Sequence, residues 1–92
     1  MKRFTDNQYR DLVKAYRLGD KSALDKIQEE STWIIKEIAS RYKGDRKTLI
    51  NAGRIGLTKA IEVFDLRKTY KFLTYATWWI RAGVHRELGL PN

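Results

Sequence analysis

The 92 residues predict an all-α fold, a compact bundle of about four helices in a single domain spanning 1–92. Three observations carry this. Apolar residues recur at three- and four-residue spacing through four separate stretches, the pattern of helices that bury one face. No stretch shows the strict alternation that a half-buried strand requires. The only proline is Pro91, so no helix interior is interrupted by one.

The first helix is expected over 6–18, capped by Asp6, with Tyr9, Leu12, Val13 and Tyr16 on its buried face. Residues before Thr5 are expected to fray. Leu18-Gly19-Asp20 ends this helix, because Gly19 tolerates a left-handed backbone and Asp20 caps the next helix. The second helix, 20–42, carries a stripe of Ala23, Leu24, Ile27, Ile34, Ile35, Ile38, Ala39 and Tyr42. Polar Glu29-Glu30-Ser31-Thr32 interrupts that stripe, so a break or kink is expected there. Lys43 to Lys47 reads as a charged turn.

The third helix, 48–64, packs through Leu49, Ala52, Gly53, Gly56, Leu57, Ala60, Ile61 and Phe64. A glycine inside a helix costs about 1 kcal/mol relative to alanine, so Gly53 and Gly56 predict a neighbouring helix passing very close. A basic connector with Arg67 and Lys68 leads to the fourth helix, 74–88. Thr74 can cap it, and Gly89 and Pro91 stop it. Ala76, Ile80, Gly83, Val84 and Leu88 fall on one side. Tyr75, Trp78, Ala82, His85 and Arg86 fall on the other, with Trp79 beside them. The second side places rings and cations where solvent should be.

Composition narrows the function. The net charge of +8 and a pI near 9.9 suit a partner that is a polyanion. With no cysteine and one histidine, disulfides and thiolate metal sites are excluded and no metal or other cofactor is expected. No phosphate-binding loop, nucleophile elbow or paired-carboxylate motif is present, and an enzyme is not expected. The N-terminal residues hold no apolar signal region and no run reaches the length of a membrane span, which points to the cytoplasm and away from a membrane. An amphipathic membrane helix over 74–88 is the nearest competitor, but that stretch has a second apolar face and the rest of the chain supplies a core to match it.

Lysine and arginine neutralise phosphates, and exposed rings stack on unpaired bases at about 1–3 kcal/mol per base. Paired bases hide their faces, so a ring platform favours single strands or extruded bases. The residues therefore describe a helical module for melted or flipped nucleic acid.

Gly53-Arg54-Ile55-Gly56-Leu57-Thr58-Lys59-Ala60, then Phe64-Asp65, then Tyr70-Lys71-Phe72-Leu73-Thr74-Tyr75-Ala76-Thr77-Trp78-Trp79-Ile80-Arg81 carry a further clue. They resemble domain 2 of the bacterial RNA polymerase sigma factors of the housekeeping (sigma-70) type. The resemblance implies a fold of that type and two partners: the clamp helices of the largest subunit of core polymerase, and the non-template single strand of a melting −10 promoter element. It implies that Phe64, Asp65, Lys68, Phe72, Thr74 and Tyr75 build a pocket for a flipped adenine, that Tyr75 stacks in its place, and that Trp78 and Trp79 wedge the upstream fork. Ala82 and His85 would face the last base pair, and Arg67, Lys71, Arg81 and Arg86 would hold phosphates. Thr48, Asn51, Ala52, Arg54, Ile55 and Thr58 occupy the clamp-binding positions.

Several residues depart from the family pattern. Two acidic groups of the clamp-binding helix are missing and Arg54 adds a cation, which alters the electrostatic complement to a conventional clamp. Leu73 stands where a serine is usual, and Ala82 where a glutamine is usual. Sequence beyond Arg86 is short, so a fragment, a one-domain protein or half of a split factor are all open. In the last case a second protein would supply the other sigma domains. A sigma-like regulator or decoy, which binds polymerase or another partner without opening promoters, is the alternative function.

Overall fold

The computed structural model describes residues 3–92, and five helices run through them: α1 Asp6–Arg17, α2 Ser22–Glu30, α3 Thr32–Ala39, α4 Arg46–Val63 and α5 Phe72–Leu88. No strand occurs among the described residues. The fifth helix arises because the expected second helix breaks at Ser31. The ladder does not stop there: the Ser31 N–H reaches the Ile27 carbonyl and the Ile35 N–H reaches that of Ser31. Instead the Thr32 hydroxyl donates back to the Gln28 carbonyl at 3.0 Å, an arrangement that bends helices. The bend buries Ser31 completely, with its Oγ 3.4 Å from the Tyr9 hydroxyl of α1.

Two expected caps and one expected helix start move. Thr5, not Asp6, caps α1: its hydroxyl accepts the Gln8 N–H while the Gln8 side chain accepts the Thr5 N–H, a reciprocal box. Asp45, inside the charged turn, caps α4 by accepting the N–H and hydroxyl of Thr48, so the helix starts two residues before the expected boundary. Thr74 lies within the first turn of α5 and does not cap it. The Phe72 N–H is satisfied from α1, by the Asp6 carboxylate at 2.7 Å, and this charged acceptor lets the helix begin earlier. Asp20 does accept the N–H and hydroxyl of Ser22 at the start of α2. Residues 3 and 4 are tied down rather than frayed. The Phe4 N–H donates to Glu30, its ring meets Tyr9 edge-on, and Arg3 lies over Trp33. Met1 and Lys2, the rest of that stretch, fall outside the described residues.

The core gathers Tyr9 and Val13 of α1, Ile27 of α2, Ile35 and Ile38 of α3, Leu57, Ala60 and Ile61 of α4, and Phe72, Ala76 and Ile80 of α5. Each fully buried isoleucine or phenylalanine contributes about 1.5–3 kcal/mol. That burial is what holds α2 and α3, whose nine and eight residues are too few to persist alone. The α4–α5 crossing is backbone to backbone. A Cβ on Gly56 would meet the Trp79 carbonyl and one on Gly83 the Ala52 carbonyl, which is the close approach the helical glycines predicted. This crossing turns the aromatic side of α5 outward.

Helix α1 also braces the α4–α5 connector. Asp6 accepts Arg10 Nε at 2.7 Å with one oxygen and the Phe72 N–H with the other. Burial would push its carboxyl up, but the Arg10 and Phe72 hydrogen bonds outweigh that and hold it below the usual range. A carboxyl whose folded pKa is depressed stabilises above its unfolded value of 3.8, and that contribution is lost as pH falls through the folded value. The melting temperature of the wild type should therefore fall more steeply below about pH 4 than that of Asp6→Asn, as measured by circular dichroism. Parallel pH profiles would show that Asp6 carries no such linkage.

Among the described residues no helix is long and apolar enough to cross a membrane, and no cluster of three or more histidine or acidic side chains could hold a metal ion.

Candidate nucleic-acid interface

The aromatic stretch separates into three layers. Phe64 and Phe72, 1% and 0% exposed, lie at the bottom with rings edge-on at 5.2 Å. Tyr75 is half-buried above them, 5.3 Å from the Phe64 ring. Tyr70 stacks on Tyr75 from outside, with centroids 5.7 Å apart and planes 18° from parallel. One turn beyond Thr74, Trp78 stands out at 68% exposed. Tyr70, Thr74, Tyr75 and Trp78 together line an open concavity of about 430 Å³. Three aromatic rings and a threonine surround it, a lining suited to a planar ligand. Trp79 is half-buried, and its ring meets Tyr75 edge-on at 6.4 Å.

The cations are distributed around this platform. Arg81 lies over the Trp78 ring, its guanidinium carbon 5.7 Å from the centroid. Lys68 and Lys71 are exposed on the connector. Arg67 is exposed as well but folds back onto Asp65 through two side-chain bonds of 3.1 and 3.2 Å. Arg67 bonding holds the Asp65 carboxyl below its ordinary range, so at neutral pH Asp65 is an acceptor only. Such an exposed pair is worth little and opens readily, which frees both groups for a ligand. Arg86 lies further along α5, exposed, beside a concavity of about 340 Å³ that it lines with Ile55, Lys59 and Ala82.

His85 is engaged at both ring nitrogens. Nδ1 is 2.8 Å from the Pro91 carbonyl and Nε2 is 2.7 Å from the Tyr42 hydroxyl. A carbonyl only accepts, so Nδ1 carries the proton and, in the neutral ring, Nε2 accepts from Tyr42. Ala82 and His85 share a third concavity with Trp78 and Arg81, so the residues expected at a duplex end do adjoin the tryptophan expected at the fork.

The α4 residues are not all on one surface. Thr48, Asn51, Arg54 and Ile55 are exposed, Ile55 at 72%. Thr58 accepts from Gln28 of α2 at 2.9 Å. Ala52 is buried against α5.

Sequence reasoning missed two contributors. Tyr70 was read as part of a basic connector, although an aromatic two residues before the α5 start was a usable signal. Arg10 was invisible, because it reaches the connector from more than fifty positions away.

Comparison with known proteins places residues 33–89 in the family described as Sigma-70 region 2. The chain is 43% identical over 81 residues to the RNA polymerase sigma factor SigA of Clostridium acetobutylicum, covering 85% of this chain and 21% of that protein. It is 41% identical over 80 residues to the SigA of Listeria monocytogenes, covering 84% and 21%. The chain thus spans about a fifth of the length of these relatives.

Proposed function

Since the chain belongs to the Sigma-70 region 2 family, we propose that it is a sigma-factor domain that binds core RNA polymerase and captures non-template bases of a −10-like element as the duplex opens. The observation that carries this reading is the outward Trp78 beside the Tyr70–Tyr75 stack, with Arg81 over Trp78 and exposed Lys68 and Lys71 on the segment that carries Tyr70. Rings take up unpaired bases, and cations bind the phosphates on either side. Asp65, kept ionised, can accept a hydrogen bond from an exocyclic amino group of a flipped base. Trp78, with Ala82 and His85 beyond it, would face the duplex end. The energy comes from stacking and charge, with no covalent step.

The test is fluorescence anisotropy of a labelled single strand carrying a TATAAT-like element, with core polymerase, with and without this chain. A control strand has the upstream adenine replaced. Chain-dependent binding that weakens on the control strand is the expected result. Equal binding to both strands would leave a generic single-strand binder.

One observation favours the alternative of a regulator with the same fold. The outward face of α4 presents Lys47, Arg54 and the bare side chain of Ile55, with no carboxylate between Thr48 and Thr58. If this face docks on polymerase, Arg54→Glu should change affinity for core at least about fivefold, a 1 kcal/mol effect, while the intrinsic base preference stays as it was. Unchanged affinity in a pull-down titration would remove Arg54 from the docking surface.

A further inference from the structure

The connector between α4 and α5 carries Asp65, Lys68 and Tyr70, yet it makes few bonds of its own. The Arg67 N–H reaches the Asp65 carboxylate, and the Lys68 N–H the Asp65 carbonyl. Leu66 packs on the core, and Tyr70 lies edge-on to Phe64 at 5.8 Å as well as against Tyr75. The long-range hydrogen bonds to the connector's backbone come from α1. The Arg10 guanidinium donates to the carbonyls of Leu66 at 3.0 Å, Lys68 at 2.8 Å and Tyr70 at 2.6 Å. Its Nε is held by Asp6, whose other oxygen accepts the first N–H of α5, and its guanidinium carbon lies 5.1 Å from the Phe64 ring centroid. Arg17, two turns on, donates to the carbonyls of Ile61 and Phe64 where α4 ends.

We propose that Arg10 is the positioning residue of the strand-reading loop. By holding three connector carbonyls on one rigid fork, it sets the curvature that lays Tyr70 against Tyr75, so the ring platform exists before nucleic acid arrives. This rests on the strand-reading function proposed above. Physically, a loop that must be ordered on binding loses backbone freedom at that moment, and a preset loop does not. Arg10 is not a phosphate contact: its side chain is 18% exposed, and Nε and both terminal nitrogens are already engaged by Asp6 and the connector carbonyls. Lysine cannot replace it, because one ammonium does not span three carbonyls in the plane a guanidinium does. The bond from Arg10 to the Tyr70 carbonyl adds a backbone anchor to the Phe64 and Tyr75 ring contacts that keep this aromatic stacked on an irregular segment.

The deciding variant is Arg10→Lys in the whole chain, which keeps the net charge of +8. Two readouts are taken: anisotropy on the matched and adenine-replaced strands with core polymerase, and 15N relaxation of the backbone amides of 65–71. The expected result is lower order confined to the loop and a matched-strand preference reduced roughly tenfold, the worth of one charged hydrogen bond. Salt-dependent binding common to both strands should stay unchanged. Wild-type loop order in Arg10→Lys overturns the proposal, and so does reduced order with full base preference. If the wild type itself shows no preference, the strand-reading function fails, and relaxation still decides whether Arg10 orders the loop. If Arg10→Lys does not fold, Asp6→Asn takes its place. It keeps an acceptor for Phe72 while loosening Arg10, and it should shift both readouts in the same direction; no shift overturns the proposal.

Discussion

Gly56→Ala is expected to destabilise the domain by about 3 kcal/mol, the upper part of the range for overpacking a tight core. The new Cβ would lie 2.8 Å from the carbonyl carbon of Trp79, nearer still to its oxygen, and 3.1 Å from the Ile80 Cα. These are backbone atoms, so no rotamer change relieves the clash and α4 and α5 must separate. Alanine's better helix propensity returns only about 1 kcal/mol. The melting temperature should fall by roughly 12–24 °C for a domain of this size. Gly83→Ala, whose Cβ meets the Ala52 carbonyl, belongs to the same class. Gly53→Ala is the milder control. Its Cβ meets the Ile35 and Ile80 Cγ2 atoms at 2.9 and 3.3 Å, buried side-chain methyls instead of backbone, so the packing must shift but the two helix backbones need not part. A Gly56→Ala protein that melted within a few degrees of wild type would mean that the two helices do not cross this closely in solution.

Trp78→Ala is expected to lower affinity for the melted strand by about 5- to 150-fold, the loss of one base stacked on a ring. The melting temperature should hardly change, because the indole is mostly in solvent and what it touches is Arg81. Duplex affinity, governed by phosphates, should be preserved within the effect of releasing Arg81. An equal loss on duplex and single strand would refute a stacking role. Tyr75→Ala is a less clean probe, because Tyr75 packs on Phe64 and Tyr70 and its removal disturbs the core as well as the platform.

Helix type and burial were legible from spacing because they depend on short-range periodicity. Ile27, Ile35, Leu57, Ile61 and Ile80 fall on the stripes that turn out to be buried. The two glycines of α4 announced a close neighbour because a helix does not tolerate them without a packing reason. The break near Ser31 was legible too, although the back-bonding Thr32 hydroxyl that bends the chain there was not foreseen. Caps were the weakest point. Thr5, Asp6, Asp45 and Thr74 all have side chains able to cap, and spacing alone does not choose among them.

Local pattern in this chain was therefore sufficient for an all-helical bundle with one side of rings and cations, since amphipathic periodicity and side-chain chemistry are properties of neighbouring residues. The division of those rings into a buried floor of Phe64 and Phe72, a half-buried Tyr75 and an outward Trp78 was not in the pattern. Nor was the bracing of the connector by Asp6, Arg10 and Arg17. Both depend on which helix lies against which. That was decided by the glycine crossing of α4 and α5 and by the placement of α1 across the end of that pair, contacts between residues dozens of positions apart in the chain.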